Sequence, residues 1–399
     1  MNNYIYINPN KKKIKLIELI NKFNRTTFFE NCIFKQTYDD LIIKLLLCLS
    51  NKKTLYIGKN FLNKSKKCRN NFKLPLTKPK LSKFINSFSS SSKIVMNSSG
   101  TTGKKKKIIC SWGQIIRNIS YKKKYSNNIW ALAYNMGHYA GLQVLLQAFL
   151  NFNILVDISD TKTENIFLIL KKYKITNISA TPTFYRKLIM QSQKKNNMLN
   201  RISVGGEISN KSLFVNLKKL FPTAKILNIY ASTEAGTILA SKNEKFIIPS
   251  KSKSLIKIKN GKLLIHKSIL AKNINTCVNK NWYDSNDRVK LNNDGKFEFI
   301  GRESSFINTG GYKVNPEEIE NIMNKHPLIY DARIFSRKNS FLGNVLLAEV
   351  VLRKQKFIKK DIKKNILRYL KKKLLKWKIP VDIYIVPYID RTISGKIKR

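Results

Sequence analysis

The sequence predicts an α/β protein: a large amino-terminal domain of mainly parallel, helix-covered sheets plus β-hairpins, then a small α+β carboxy-terminal domain. Three observations predict it. Short apolar strands alternate with helical segments from about residue 93 to residue 230, as in a parallel sheet covered by helices. After Glu234 the style changes to turn signals, Asn260-Gly261 and Asp294-Gly295, each flanked by alternating residues, the signature of hairpins. From Pro316 onward a Pro-started helix, two strands, a Lys-rich helix and a final strand follow one another.

The elements can be justified in order. Near the start, KLIELINKF and DDLIIKLLLCL carry helical apolar spacing, and KTLYIG reads as a short buried strand. The Ser-rich stretch Ser87 to Ser92 is a loop, and SKIVM after it is a strand. Gly141 to Val156 is the longest apolar stretch, but Gln143, Gln147, Asn151 and Asn153 interrupt it. It therefore reads as a buried helix and strand and not a membrane span. A helix over Ser159 to Lys172 is expected to open with a capping box, Thr161 with Glu164. ITNISA, RISVGG and KILNIY are strands separated by the helical segments FYRKLIMQ and SLFVNLKKLF. The pattern places a domain boundary near Gly301 to Ser305, giving domains over 1–303 and 304–399, with 1–90 the least informative part.

Composition narrows the function classes. At 399 residues, with 43% hydrophobic residues, the chain can build one large core and a smaller second one. Five cysteines never fall as C-x-x-C, and only three histidines accompany them, so no zinc site or disulfide framework is expected. The start, MNNYIYINPNKKK, lacks a basic region followed by an apolar one. A cytoplasmic protein with free thiols is the expectation. The net charge is +54, but the lysines run along the whole chain beside abundant Asn and Ile. That diffuse pattern fits a coding bias better than a basic stripe selected for nucleic acid, so no specific nucleic-acid partner is expected.

Four segments carry chemistry. SSGTTGKKKK, Ser98 to Lys107, follows a strand directly; its glycines let the backbone approach an anion, its hydroxyls donate and its lysines neutralise charge. Its spacing is not that of a Walker loop, and by itself it reads equally as a flexible polar loop. YASTEAG, Tyr230 to Gly236, puts an aromatic ring, hydroxyls and a carboxylate at the carboxyl end of a strand, where open α/β sheets bind nucleotides. Glu234 there suits magnesium, a cation that takes carboxylate and phosphate oxygens together. Asp287, in YDSND, can accept from a ribose diol. The chain ends on DRTISGKIKR, with Lys396 beside a glycine.

Singly, each segment has an ordinary structural reading. Their order, from a phosphate loop through GGE, YASTE, the acidic residue at 287 and GRESSFINTGGYKV to RTISGK, resembles the adenylate-forming, AMP-binding superfamily, specifically an acyl-CoA synthetase-like ligase. The resemblance covers about residues 93 to 399. It implies an AMP-binding adenylation domain followed by a mobile lid domain, with ATP, Mg2+ and coenzyme A as cofactors and co-substrate. It further implies that Ser99, Gly100, Thr101, Thr102, Gly103 and Lys106 hold the β- and γ-phosphates, and that Gly205, Gly206 and Glu207 lie against adenine. Tyr230 would lie along the purine, Thr233 near the α-phosphate and Glu234 on the metal. Asp287 and Arg302 would hold the ribose, and Lys396 the substrate carboxylate and α-phosphate. His138, with Gly141, resembles an acyl-pocket segment, while Ser305 falls at a hinge and Gly310-Gly311 beside a thiol channel.

Departures from the family pattern are visible. Lys105 and Lys107 stand at the usual Pro and Gly positions of the phosphate loop, Ala231 replaces Gly, and Ser285-Asn286 replaces Thr-Gly. Ser305 stands for Asp and Asn308 for Lys, and the segment before the phosphate loop is shorter than usual, which implies a reduced amino-terminal subdomain. The expected activity is ATP-dependent activation of a fatty or other hydrophobic carboxylic acid to acyl-AMP, then transfer to coenzyme A. Loading of an acyl carrier protein in trans stays open, as does a non-catalytic relative that binds a nucleotide or polyanion.

Overall fold

The computed structural model describes residues 4–9, 12–30, 32–33, 37–57, 67–88, 92–97, 106–119, 125–192, 195–274, 281–339, 341, 343–353, 361–391 and 397. A hairpin of β1 (Tyr4–Asn8) and β2 (Lys12–Lys15) leads into α1 (Leu16–Arg25), then β3 (Phe28–Glu30), β4 (Cys32–Ile33) and α2 (Tyr38–Ser50). Next come β5 (Leu55–Ile57), β6 (Lys67–Arg69), α3 (Lys78–Asn86), β7 (Lys93–Asn97), β8 (Lys107–Ser111) and α4 (Trp112–Ile116). The alternating region follows: β9 (Ile129–Leu132), α5 (Tyr139–Leu150), β10 (Ile154–Asp157), α6 (Ile166–Lys172), β11 (Asn177–Ala180) and α7 (Pro182–Gln191). It closes with β12 (Arg201–Gly205), α8 (Lys211–Leu220), β13 (Lys225–Ser232) and β14 (Gly236–Ser241).

These strands build an eight-stranded sheet in the order β14-β13-β12-β11-β9-β10-β1-β2. Its interior pairs are parallel, and only β14 and β2, at the two edges, run antiparallel. Apolar cores cover both faces. Ala131, Val156 and Ile178 join α6, α7 and α8 in one core, while their chain neighbours Leu132 and Leu155 join α2 and α5 in the other. Successive side chains of a strand point to opposite faces, so a sheet buried on both sides needs such unbroken apolar runs. A four-stranded sheet, β4-β5-β7-β8, shares the second core through Leu55, Ile57, Ile94 and Ile108.

One local expectation fails. No capping box forms at Thr161 and Glu164: a 3₁₀ turn over Thr163–Asn165, preceded by Lys162 without a side-chain cap, takes up the start, and the α-helix begins only at Ile166. The tighter turn already satisfies donors that a cap would otherwise serve.

The chain divides into two compact units, Met1–Phe246 with His266–Asn281, and Ile247–Ile265 with Trp282–Arg399. The second unit holds the sheet β15 (Ile256–Lys259), β16 (Lys262–His266), β17 (Trp282–Leu291) and β18 (Phe297–Arg302). Asn260 and Gly261 both have positive φ, 50° and 67°, as a two-residue hairpin turn that matches strand twist requires. After it come β19 (Ile307–Thr309), β20 (Tyr312–Val314), α9 (Pro316–Met323), β21 (Ile329–Asn339), β22 (Gly343–Leu352), α10 (Ile362–Lys371) and β23 (Asp382–Ile385). Strands β21, β22 and β23 form a sheet packed on α9 and α10 through Ile319, Ile334, Ala348, Ile366 and Ile383.

By compactness the hairpin sheet thus goes with the carboxy-terminal elements, although it precedes residue 303. Three contacts tie β17 and β18 to the elements that follow. Glu303 pairs with Arg288 of β17 and Lys313 of β20. The Asn315 amide donates to Ile300 O and sits where a side chain on Gly301 would stand, 2.8 Å from a Cβ built there.

Candidate active site

Two neighbouring parallel strands end on the chemistry-bearing segments of the first unit. Gly205 closes β12 opposite Ile229 of β13, and a Cβ at Gly205 would lie 3.0 Å from Ile229 O. Gly206, at φ +87°, adopts a conformation open to glycine. Glu207 then turns back to α7. Its Oε2 accepts from the Thr183 N–H at 3.1 Å and from the Thr183 hydroxyl at 2.7 Å. Its Oε1 is buried without a hydrogen bond among the described residues. Tyr134, whose phenol burial keeps protonated, donates to Gly205 O at 3.5 Å.

Beside it, β13 and β14 pair antiparallel with a bulge between Tyr230 and Ala231. The turn joining them carries Thr233 and Glu234, both half-buried. Each of its carbonyl groups is claimed by a different element. Cys110 Sγ of β8 lies 3.7 Å from Thr233 O, the Ala271 N–H donates to Glu234 O at 2.7 Å, and Arg117 Nη2 donates to Ala235 O at 2.7 Å. Ser232 Oγ accepts from the Ala235 N–H at 3.1 Å. Burial, followed by the nearby charge of Glu234, pushes the Cys110 thiol up to about 11, so it keeps the proton it donates. The main chain under Glu234 is therefore fixed from three sides, and positioned carboxylates hold metals best when their backbone is rigid.

Among the described residues no cluster of three or more His, Cys, Asp or Glu could hold a metal ion by itself. A single carboxylate, Glu234, nevertheless fits magnesium bound mainly by phosphate oxygens and water, because that ion commonly takes only one or two protein carboxylates.

Ser99, Gly100, Thr101, Thr102 and Gly103, expected from the sequence to form a phosphate loop, lie outside the described residues. The strands flanking that segment are described: Asn97 at the end of β7 pairs with Lys107 at the start of β8, and Lys106 is exposed. His138 is half-buried and precedes α5 as its N-cap residue, with its carbonyl accepting from Leu142 N at 2.9 Å. Gly141 has a packing reason of its own: a Cβ there would stand 2.0 Å from Asn135 O.

In the second unit, Asp287 and Arg302 occupy directly opposed positions on β17 and β18, and Arg302 Nε donates to Asp287 Oδ1 at 3.0 Å. Asp287 is only 7% exposed, and its N–H donates to Ser285 Oγ at 3.1 Å. The Ser305 hydroxyl donates to Arg302 O at 2.7 Å. Gly310 and Gly311, at φ 52° and 81°, form the two-residue turn between β19 and β20. Tyr312 beside them stacks on Trp377, centroids 4.4 Å apart. Lys396 lies outside the described residues, between Arg391 and Ile397, which form an isolated antiparallel bridge.

Sequence reasoning missed Thr183, Tyr134, Cys110, Arg117, Ala271 and Asn273. None has a local signal. Arg117 meets Ala235 across 118 residues and Asn273 meets Ile109 across 164.

Residues 67–259 match the family described as AMP-binding enzyme, and residues 318–396 match the AMP-binding enzyme C-terminal domain. The chain belongs to the AMP-binding enzyme family. It is 24% identical to acyl-coenzyme A synthetase ACSM4, mitochondrial, of Rattus norvegicus over 59% of this chain and 46% of that one. It is 24% identical to 2-succinylbenzoate–CoA ligase of Lactococcus lactis over 77% of this chain and 69% of the relative. The chain thus spans about half the length of the first of these relatives. The AMP-binding fold extends over the whole chain: the o-succinylbenzoate CoA synthetase MenE from Bacillus subtilis, bound to the acyl-adenylate OSB-AMP, superposes with a TM-score of 0.73. That superposition covers 100% of this chain and 94% of MenE at 18% identity. The α/β architecture with its helix-covered parallel sheet is thereby that of the AMP-binding enzymes.

Proposed function

We propose that this AMP-binding protein is an acid–thiol ligase: it activates a carboxylic acid as acyl-AMP and passes the acyl group to coenzyme A. The observation that carries the reading is the clamped Thr233–Glu234 turn beside the Gly205–Glu207 bend at neighbouring strand ends. It is supported by relatives whose names are acyl-CoA synthetase and CoA ligase, and by MenE, which also binds ATP and magnesium.

In the proposed first step, a carboxylate oxygen of the acid attacks the α-phosphorus of ATP, a mixed anhydride forms and pyrophosphate leaves. The acid is already an oxygen nucleophile and needs no activating base. What the step needs is positioning and relief of repulsion between two anions. Glu234 holds the magnesium, which supplies charge neutralisation to the phosphates. Gly205, Gly206, Glu207 and Tyr230 take the adenine, Asp287 and Arg302 the ribose, and Ser99 to Gly103 with Lys106 the β- and γ-phosphates. Lys396 bridges the acid and the α-phosphate. In the second step the coenzyme A thiol attacks the acyl carbon and AMP leaves, with the part after residue 303 turning about Ser305 so that Gly310 and Gly311 line the thiol's path. We assign the acid to the hydrophobic class, with His138 at the head of the mainly apolar α5, interrupted by Gln143 and Gln147, beside its acyl part.

A panel of carboxylic acids, assayed for ATP-dependent pyrophosphate release with the adenylate identified by mass spectrometry, tests this reading. Lys396→Ala is expected to lose acid-dependent pyrophosphate exchange by at least about a hundredfold while retaining ATP binding. Exchange at the parent rate in that variant contradicts the role of Lys396.

A further inference from the structure

The geometry points to Asn273 as a positioning residue that sets the spacing between the start of β8 and the Glu234 turn, and so the affinity for the β,γ-phosphate and magnesium end of ATP. The inference rests on the nucleotide reading above.

Strand β8 is an edge strand, paired with β7 on one side only. Its outer peptide groups are claimed by the segment that follows Leu270. The Asn273 amide donates from Nδ2 to Lys107 O at 2.6 Å and accepts at Oδ1 from the Ile109 N–H at 2.8 Å. One side chain thus imitates the donor and acceptor of a missing neighbouring strand. Lys272 N–H donates to Ile109 O at 2.9 Å. Two residues before Asn273, the Ala271 N–H holds Glu234 O at 2.7 Å, and Gln114 Nε2 anchors Leu270 O at 2.6 Å.

The span Leu270 to Asn273 is therefore a short strap between two elements that handle anions. At one end are Lys107 and its exposed neighbour Lys106; at the other is the carboxylate proposed for magnesium. Chain distance makes the link specific, because 166 residues separate Asn273 from Lys107. The Asn273 contacts are exposed to solvent, where hydrogen bonds contribute little net stability. Their consequence is geometric: they fix where Lys106 and Lys107 stand relative to Glu234.

AMP lacks the phosphates that both ends of the strap would address, whereas Mg–ATP uses both. Calorimetric binding of a non-hydrolysable Mg–ATP analogue and of AMP to the full chain separates them, with Asn273→Ala and Asn273→Asp as variants. Asn273→Ala is expected to weaken the Mg–ATP analogue about tenfold, as loss of a paired contact does, and to leave AMP unchanged. Asn273→Asp keeps the acceptor for Ile109 but turns a carboxylate oxygen on Lys107 O and adds negative charge at the phosphate end, so it should weaken the analogue at least as much; it carries the test alone if the alanine variant does not fold. Equal affinities for both ligands before and after substitution overturn the inference. Parallel weakening of AMP and the analogue overturns it as well, because that marks general loosening of the fold. If the unmodified chain binds neither nucleotide, the functional reading itself fails and takes this inference with it.

Discussion

Thr183 grips one oxygen of the Glu207 carboxylate twice, through its N–H at 3.1 Å and its hydroxyl at 2.7 Å, while the other oxygen is buried without a hydrogen bond among the described residues. A carboxylate held in this half-satisfied way is rigid, and its second oxygen is costly to bury unless a ligand donor reaches it.

Replacing the hydroxyl donor while keeping the shape, by Thr183→Val, should therefore weaken AMP and ATP alike. The expected loss is about tenfold to a hundredfold, the worth of one charge-assisted hydrogen bond, read by calorimetry. Unchanged affinity for both nucleotides would confine Glu207 to holding α7 in place.

Asp39, at the start of α2, accepts from Lys22 at 2.7 Å and from Lys12 at 3.1 Å. Burial opposes its charge, but the two lysines outweigh burial and hold its carboxyl down at about 2, against an ordinary 3.8. Because the folded value is the lower one, the stabilisation is present above 3.8 and is lost as pH falls through about 2. Asp39→Asn should lower the melting temperature near neutral pH, and its gap to the parent should close as pH drops through that window. A gap that does not change with pH refutes the assignment.

Gly141→Ala places a methyl group 2.0 Å from Asn135 O, a backbone atom that cannot simply rotate away. The expected cost is about 1–3 kcal/mol, the usual range for overpacking a tight core, measured by urea denaturation. Full stability in this variant would show that the loop before α5 yields freely.

Where the sequence was legible, the signals were local. Asn260-Gly261 announced its hairpin because only a few residues tolerate two positive φ angles in succession. The apolar runs of ITNISA and RISVGG became β11 and β12, since a sheet buried on both faces admits little else. Asp287 and Arg302 were both picked out separately, and the ladder sets them opposite each other. The capping box expected at Thr161 does not form, because a 3₁₀ turn over Thr163–Asn165 takes up the start and the α-helix begins at Ile166.

By itself the sequence determined the fold class, the hairpin turns and the order of the family's motifs, because turn conformation, strand alternation and contiguous motifs depend on neighbours within a few positions. Only the tertiary structure decided what holds them: Thr183 on Glu207, and Ala271, Cys110 and Arg117 around the Glu234 turn. Around the Glu234 turn each of those three acceptors is a main-chain carbonyl, which every residue type possesses. A carbonyl that finds its donor more than a hundred residues away leaves no mark on the composition or spacing of either segment, and folding alone chooses the pair.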